Sequence, residues 1–208
     1  MSMASPTGMR TRLTYEDYLL FPDDGKRHEI ISGEHFMTPS PSTRHQLICG
    51  NIYSLLRAHV QDGGAGTVLI SPMDVVLSDE DVVQPDLLFV SAARAAIITE
   101  KNIAGAPDLV VEVLSEATRK ADLTVKYKLY AARGVQEYWV VDPEIETVAV
   151  YRAGKDGFTR AAELSREAGH LIAPMKPGTA GLPPRQATDS LATPFLPGLA
   201  LALAEVFS

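Results

Sequence analysis

The spacing of apolar residues changes period several times along this chain, and each change marks an element. Thr14 stands as an N-cap before Tyr-Glu-Asp-Tyr-Leu-Leu, so a short helix begins there and Pro22-Asp-Asp-Gly ends it. Arg27 to Phe36 alternates weakly around Ile30 and Ile31 and carries Ser32-Gly33, a hairpin signal. Pro39-Ser-Pro-Ser-Thr predicts a loop. Leu47, Ile48, Ile52, Leu55, Leu56 and Val60 then recur at helical spacing from His45 to Val60, and Gly63-Gly64 stops the run. Strands are predicted at 66–70, 73–77 and 82–90, with Ser-Asp-Glu-Asp at 78–81 as the last turn, followed by a helix at 92–101. The run 109–114 is almost continuously apolar, as in a strand covered on both faces. Residues 119–133 read as a helix with Gly134 placed for an αL cap. Another buried strand is predicted at 137–141, a hairpin at 147–151 and 157–162, and a short closing helix at 199–207.

This order of elements predicts an α/β fold with a central mixed sheet flanked by helices. With 208 residues, one domain over 13–208 is expected, with 1–12 as a polar, disordered tail and 174–194, rich in Pro, Gly, Ser and Thr, as a long loop. Charge narrows the function more than composition does. A net charge of −7 argues against avid non-specific nucleic-acid binding, though not against a local basic groove or a substrate held through metal. Cys49 is the only cysteine, which excludes an intrachain disulfide and a Cys-based zinc site and fits a reducing cytoplasm. No signal-peptide pattern opens the chain, and no apolar run approaches the ~20 residues of a membrane span. Gly-x-Ser-x-Gly and P-loop motifs are absent.

Asp86 and Glu112 carry the strongest chemical signal. Both fall in runs that otherwise read as buried strand, where a carboxylate loses several kcal/mol of hydration unless a cation or hydrogen bonds compensate. A hard divalent cation such as Mg²⁺ is the natural partner. Strand parity puts Glu112 on one face with Asp108, Val110 and Leu114. Asp108 is roughly 13 Å away along an extended strand, too far to share an ion, whereas Asp86 on a neighbouring strand can approach laterally. Gln84 shares the face of Asp86 and offers a ligand or hydrogen bond. A lysine on this face would orient water or steady negative charge, but the strand offers Leu114. The following helix offers one instead: Asp122, Lys126 and Tyr130 form an i, i+4, i+8 stripe, while Lys128 points about 200° away. Blander readings stand beside these. Asp86 after Pro85 can bond turn amides, Lys126 can pair with Asp122 on a helix surface, Glu29 can be a surface strand acid, Tyr130 can be packing, and His45 can sit at a helix N-terminus without chemistry.

Pro85-Asp86 followed by Glu112 resembles the acidic half of the PD-(D/E)XK nuclease superfamily. Pro107 to Ser115, Asp122 with Lys126, Tyr130, Gly134 to Pro143, His28 to Glu34 and the Pro39 to His45 segment together resemble the Uma-type family of restriction-endonuclease-like proteins, widespread in bacteria. The resemblance runs from about 14 to 151, with a weaker match at 195–207. It implies a restriction-endonuclease-like core with extra N-terminal strands and a C-terminal hairpin. It further implies that Asp86 and Glu112 bind Mg²⁺ or Mn²⁺, that Glu29 is a candidate third acid, that His45 belongs to the site and that Lys126 replaces the strand lysine missing at Leu114. The expected activity is metal-dependent hydrolysis of DNA phosphodiester bonds. The alternatives are a non-cleaving dimeric interaction protein that keeps the fold, and an RNA-directed nuclease. A homodimer is expected because related nucleases often cut as dimers, and because one of Tyr138 and Trp139, alternating on a strand, is free to face a partner.

Overall fold

A computed structural model of the chain describes residues 12–166 and 190–208. The expected tail, apart from Arg12, and the expected loop as far as 189 therefore lie outside the described residues. Thr14 caps α1 (Tyr15–Tyr18) through a capping box with Asp17. The hairpin of β1 (Arg27–Ile31) and β2 (Glu34–Thr38) turns at Ser32 and Gly33, both at positive φ (53° and 72°). A two-residue turn of that hand matches the twist of the strands it joins. Ser42 caps α2 (Thr43–Gly63), which ends on Gly64 in the left-handed region. Then come β3 (Gly66–Ile70), β4 (Val75–Ser78), β5 (Asp81–Val83), β6 (Leu87–Ser91), β7 (Ile103–Ala104) and β8 (Leu109–Val113). A continuous helical segment follows: α3 (Arg119–Ala121), a π turn (Asp122–Lys126) and α4 (Tyr127–Arg133). Strands β9 (Glu137–Asp142), β10 (Thr147–Gly154) and β11 (Gly157–Ser165) complete the larger sheet. Strands β12 (Ser190–Leu191) and β13 (Leu201–Ala202) pair with each other before α5 (Leu203–Val206).

The central six-stranded sheet has the order β11-β10-β9-β8-β6-β3, and its one parallel pair is β8 with β9. A second sheet has the order β2-β1-β5-β4-β7. Alternation along β8 shows how the layers stack. Leu109, Val111 and Val113 pack with Ile48, Ile52 and Leu56 of α2, while Val110 packs with Ile31, Val75 and Val83 of the second sheet and with Leu129 and Tyr130 of α4. Apolar residues cover both faces, which is why β8 reads as an uninterrupted apolar run. Glu112 points to the second-sheet side by the same parity.

Four expectations need correction. The run 82–90 is two strands in different sheets, β5 and β6, joined by Gln84-Pro85-Asp86. Pro85 has no N–H to give a ladder, so the chain changes sheets there, and Asp86 lies at the crossing, not inside a strand. The helix expected at 92–101 is a short 3₁₀ segment (Ala92–Ile97), after which Ile98 bridges to Ile103. The β-branched run Ile97-Ile98-Thr99 favours extended backbone. The closing helix is shortened to α5, because Leu201 and Ala202 pair with β12. Tyr138 and Trp139 are both fully buried, one on each side of the central sheet, so neither faces a partner.

Candidate active site

Antiparallel pairing sets Leu87 opposite Val111, and continuing that register by one residue brings Asp86 opposite Glu112. The contact is mutual. The Val113 N–H donates to Asp86 Oδ2 at 2.9 Å, and the Asp86 N–H reaches Glu112 Oε2 at 3.4 Å. Asp86 also joins the layers above and below it. Arg27 of β1 donates to Oδ1 at 2.8 Å, and His45 of α2 lies 3.1 Å from Oδ2. Burial alone would raise the Asp86 carboxyl, but His45 and Arg27 outweigh it and hold it down at about 2.

Glu112 has the opposite surroundings. Its Oε1 accepts from Lys126 Nζ at 3.0 Å and from the Tyr130 hydroxyl at 2.7 Å. Lys126 also touches Glu29 Oε1 at 2.9 Å and Asp122 Oδ1 at 3.7 Å. Burial pushes the Glu112 carboxyl up to about 8; Lys126 opposes this, while Asp122, Asp86 and Glu29 add to it. The Lys126 ammonium is held well above its ordinary value despite burial, because Glu112, Glu29 and Asp122 surround it. The stripe Asp122, Lys126 and Tyr130 does face inward and is buried, and Lys128 is exposed. Leu114 packs in the apolar core, so the lysine reaches Glu112 from the helix.

Glu29 is buried on β1 and accepts the Gln84 N–H at 2.8 Å as well as Lys126. The side-chain amide of Gln84 donates to Asp74 and Tyr18, and its Oε1 has no hydrogen-bond partner. Asp108 stands apart from this cluster, bound to the Ser91 N–H and Arg94. Arg27 and Cys49 are not among the site residues that the sequence nominates. Parity along β1 was the available signal for Arg27, since it shares a face with Glu29 two residues on. Spacing i, i+4 with His45 was the signal for Cys49. A cleft of about 410 Å³ opens beside Asp86, lined also by Arg27, His45, Cys49, Gln84 and the Pro39 to Pro41 loop. A second hollow, also lined by Arg27 and His45, lies on the other side of that loop and reaches Ser115 and Pro143.

A family model described as "putative restriction endonuclease", Uma2, matches residues 15–203. The chain belongs to the Uma2 family. Its fold is also that of a solved structure, a "putative nuclease" of DUF820 from Anabaena variabilis, with a TM-score of 0.70 and 20% identity, covering 94% of this chain and 97% of that one. At that identity the likeness is one of fold. No curated protein matches the chain. The Uma2 match takes in both sheets, the crossing at Asp86 and the helical segment that brings Lys126. Among the described residues no helix is long and apolar enough to cross a membrane.

Proposed function

We propose that this Uma2 chain is a metal-dependent endonuclease that hydrolyses phosphodiester bonds of DNA, with Asp86 and Glu112 as ligands of Mg²⁺ or Mn²⁺. One observation carries the reading. Among the described residues, four buried acids (Glu29, Asp86, Glu112 and Asp122) converge on two fixed cations, Arg27 and Lys126. Their donors are hard oxygens, and two nearby oxygens, Gln84 Oε1 and Asp122 Oδ1, have no hydrogen-bond partner. That donor set fits a hard divalent ion. Such an ion, when bound, polarises a phosphate and lowers the pKa of a coordinated water.

The chain's own groups have separable tasks. Lys126 and Tyr130 grip Oε1 of Glu112, which fixes the carboxylate and leaves Oε2 directed at the Asp86 backbone. Lys126 is a positioning residue in this reading: it is buried among three acids and acts through Glu112. Arg27 lines the cleft and offers a guanidinium for phosphate oxygens. His45 orients Asp86 from the other layer. Homodimerisation remains part of the proposal on the family resemblance alone, and a monomeric mass by light scattering at micromolar concentration would remove it. The decisive assay is plasmid nicking with Mn²⁺ by the wild type and by Glu112→Ala. Nicking by the wild type and none by the variant supports the reading, and equal activity sinks it. Metal binding measured by calorimetry without any cleavage of DNA or RNA would favour a non-cleaving interaction protein, and cleavage of RNA alone would move the substrate.

A further inference from the structure

On the α2 side of Asp86 lies a second constellation with different chemistry. His45 and Cys49 are one turn apart on α2 and so share a face. The His45 ring bridges its neighbours, with Nδ1 3.5 Å from Cys49 Sγ and Nε2 3.1 Å from Asp86 Oδ2. One ligand atom from each of the three residues lies within 4.8 Å of the others. All three side chains are buried, yet all three line the 410 Å³ cleft, so the group can be reached from that side.

A Cys–His–Asp series also suggests a nucleophile with its base, but the thiol argues against it. Burial, with Asp86 and Glu112 adding to it, pushes the Cys49 thiol far up, whereas a nucleophilic cysteine needs its thiolate favoured. The same negative field that opposes a thiolate attracts a dication, and coordination removes the thiol proton outright. Thiolate, imidazole and carboxylate together suit zinc and its neighbours, and do not suit magnesium. Three protein ligands with one open side is the arrangement in which such an ion keeps an exchangeable position. A single cysteine excludes a zinc site built from cysteines; in the fold, imidazole and carboxylate supply the other donors.

We propose that His45, Cys49 and Asp86 form a binding site for a thiophilic divalent transition ion, with Zn²⁺ as the representative. Asp86 is common to this site and to the oxygen site of the proposed nuclease. Zn²⁺ bound here therefore competes with Mg²⁺ or Mn²⁺ for Asp86 and inhibits cleavage; this second clause rests on the nuclease reading.

Co²⁺ titration of the reduced full-length chain tests the site without reference to activity. Cys49 is the only cysteine, so a thiolate-to-cobalt charge-transfer band reports this position alone. The expected result is a band that saturates near about one equivalent, as for one three-ligand site, and is displaced by Zn²⁺. Cys49→Ser and Cys49→Ala should abolish it, and His45→Asn should weaken binding by at least about tenfold. Glu112→Gln should keep it. No band in the wild type overturns the proposal, and so does a band unaffected by both His45→Asn and Asp86→Asn, because the thiol would then bind cobalt by itself. A protein that shows the band but never cleaves nucleic acid overturns the nuclease reading alone. A protein that cleaves with Mn²⁺ but shows no band overturns this proposal alone.

Discussion

Asp81, Asp108, Glu137 and Asp142 are buried, and each has its own arginine: Arg133, Arg94, Arg152 and Arg119 in turn. Hydrogen bonds complete each set, such as the Ser32 N–H and Ser78 hydroxyl at Asp81 and the Trp139 indole N–H at Glu137. Glu29, Asp86, Glu112 and Asp122 are equally buried, but share Lys126 and Arg27 among them. The first set carries one arginine per buried acid, with Arg119 also reaching the exposed Glu144, and each pair ties a strand end to a neighbouring element. The second set has more acids than fixed cations, drawn together from β1, the β5–β6 crossing, β8 and the helical segment. Burial therefore does not by itself mark a site; the ratio of acids to fixed cations does.

That contrast breaks most visibly at Glu112. Glu112→Ala should lower Mn²⁺-dependent nicking by about a thousandfold or more, on the order of 4 kcal/mol in the barrier. Asp108→Asn, which alters an acid with its own arginine just before the same strand, should leave nicking unchanged. Equal losses in the two variants would erase the distinction. Removing the shared cation comes next. Lys126→Met leaves three acids facing one another, which should destabilise the fold by about 3–4 kcal/mol in urea denaturation. Added Mn²⁺ should restore part of that loss, because an ion that binds only the folded chain stabilises it by mass action.

Arg133→Ala tests the balanced set and should cost about 2 kcal/mol, less than for a fully desolvated pair because the arginine is partly exposed. Here Mn²⁺ should restore nothing, since Asp81 belongs to no oxygen cluster. The smallest effect is one of pH. Burial would raise Asp81 and Asp142, but hydrogen bonds and their arginines outweigh it and hold both carboxyls below the usual range. The stability they contribute is complete above the ordinary carboxylate pKa of about 4 and is lost as pH falls through the lower folded values. Asp81→Asn should therefore flatten the decline of urea stability between about pH 5 and pH 3.

Much of the candidate site's geometry is legible along the chain because parity and helical spacing are local properties. They brought out Glu112 on its face and the inward stripe of Asp122, Lys126 and Tyr130, and they set Asp108 and Lys128 aside. What stayed hidden depends on distant layers meeting. Arg27 reaches Asp86 across 59 positions of sequence, and His45, which only the family resemblance brings in, does so across 41. The break at Pro85 was misread because an apolar run bounded by turns looks the same whether it serves one sheet or two. Tyr138 and Trp139 suggest a surface in the sequence because alternation shows two faces without showing that both are covered.

The crossing at Gln84-Pro85-Asp86 has a mechanical consequence. Two sheets are tied by three covalently linked residues, one of them with a ring that removes a backbone rotation. Shear between the sheets must load this short tether before it can draw Glu29, on the second sheet, away from Asp86 and Glu112 on the central one. The approach of Glu29 to the other two acids is thus held by bond geometry as well as by packing, and lengthening the tether by a single glycine would slacken it while leaving the Asp86–Glu112 register intact.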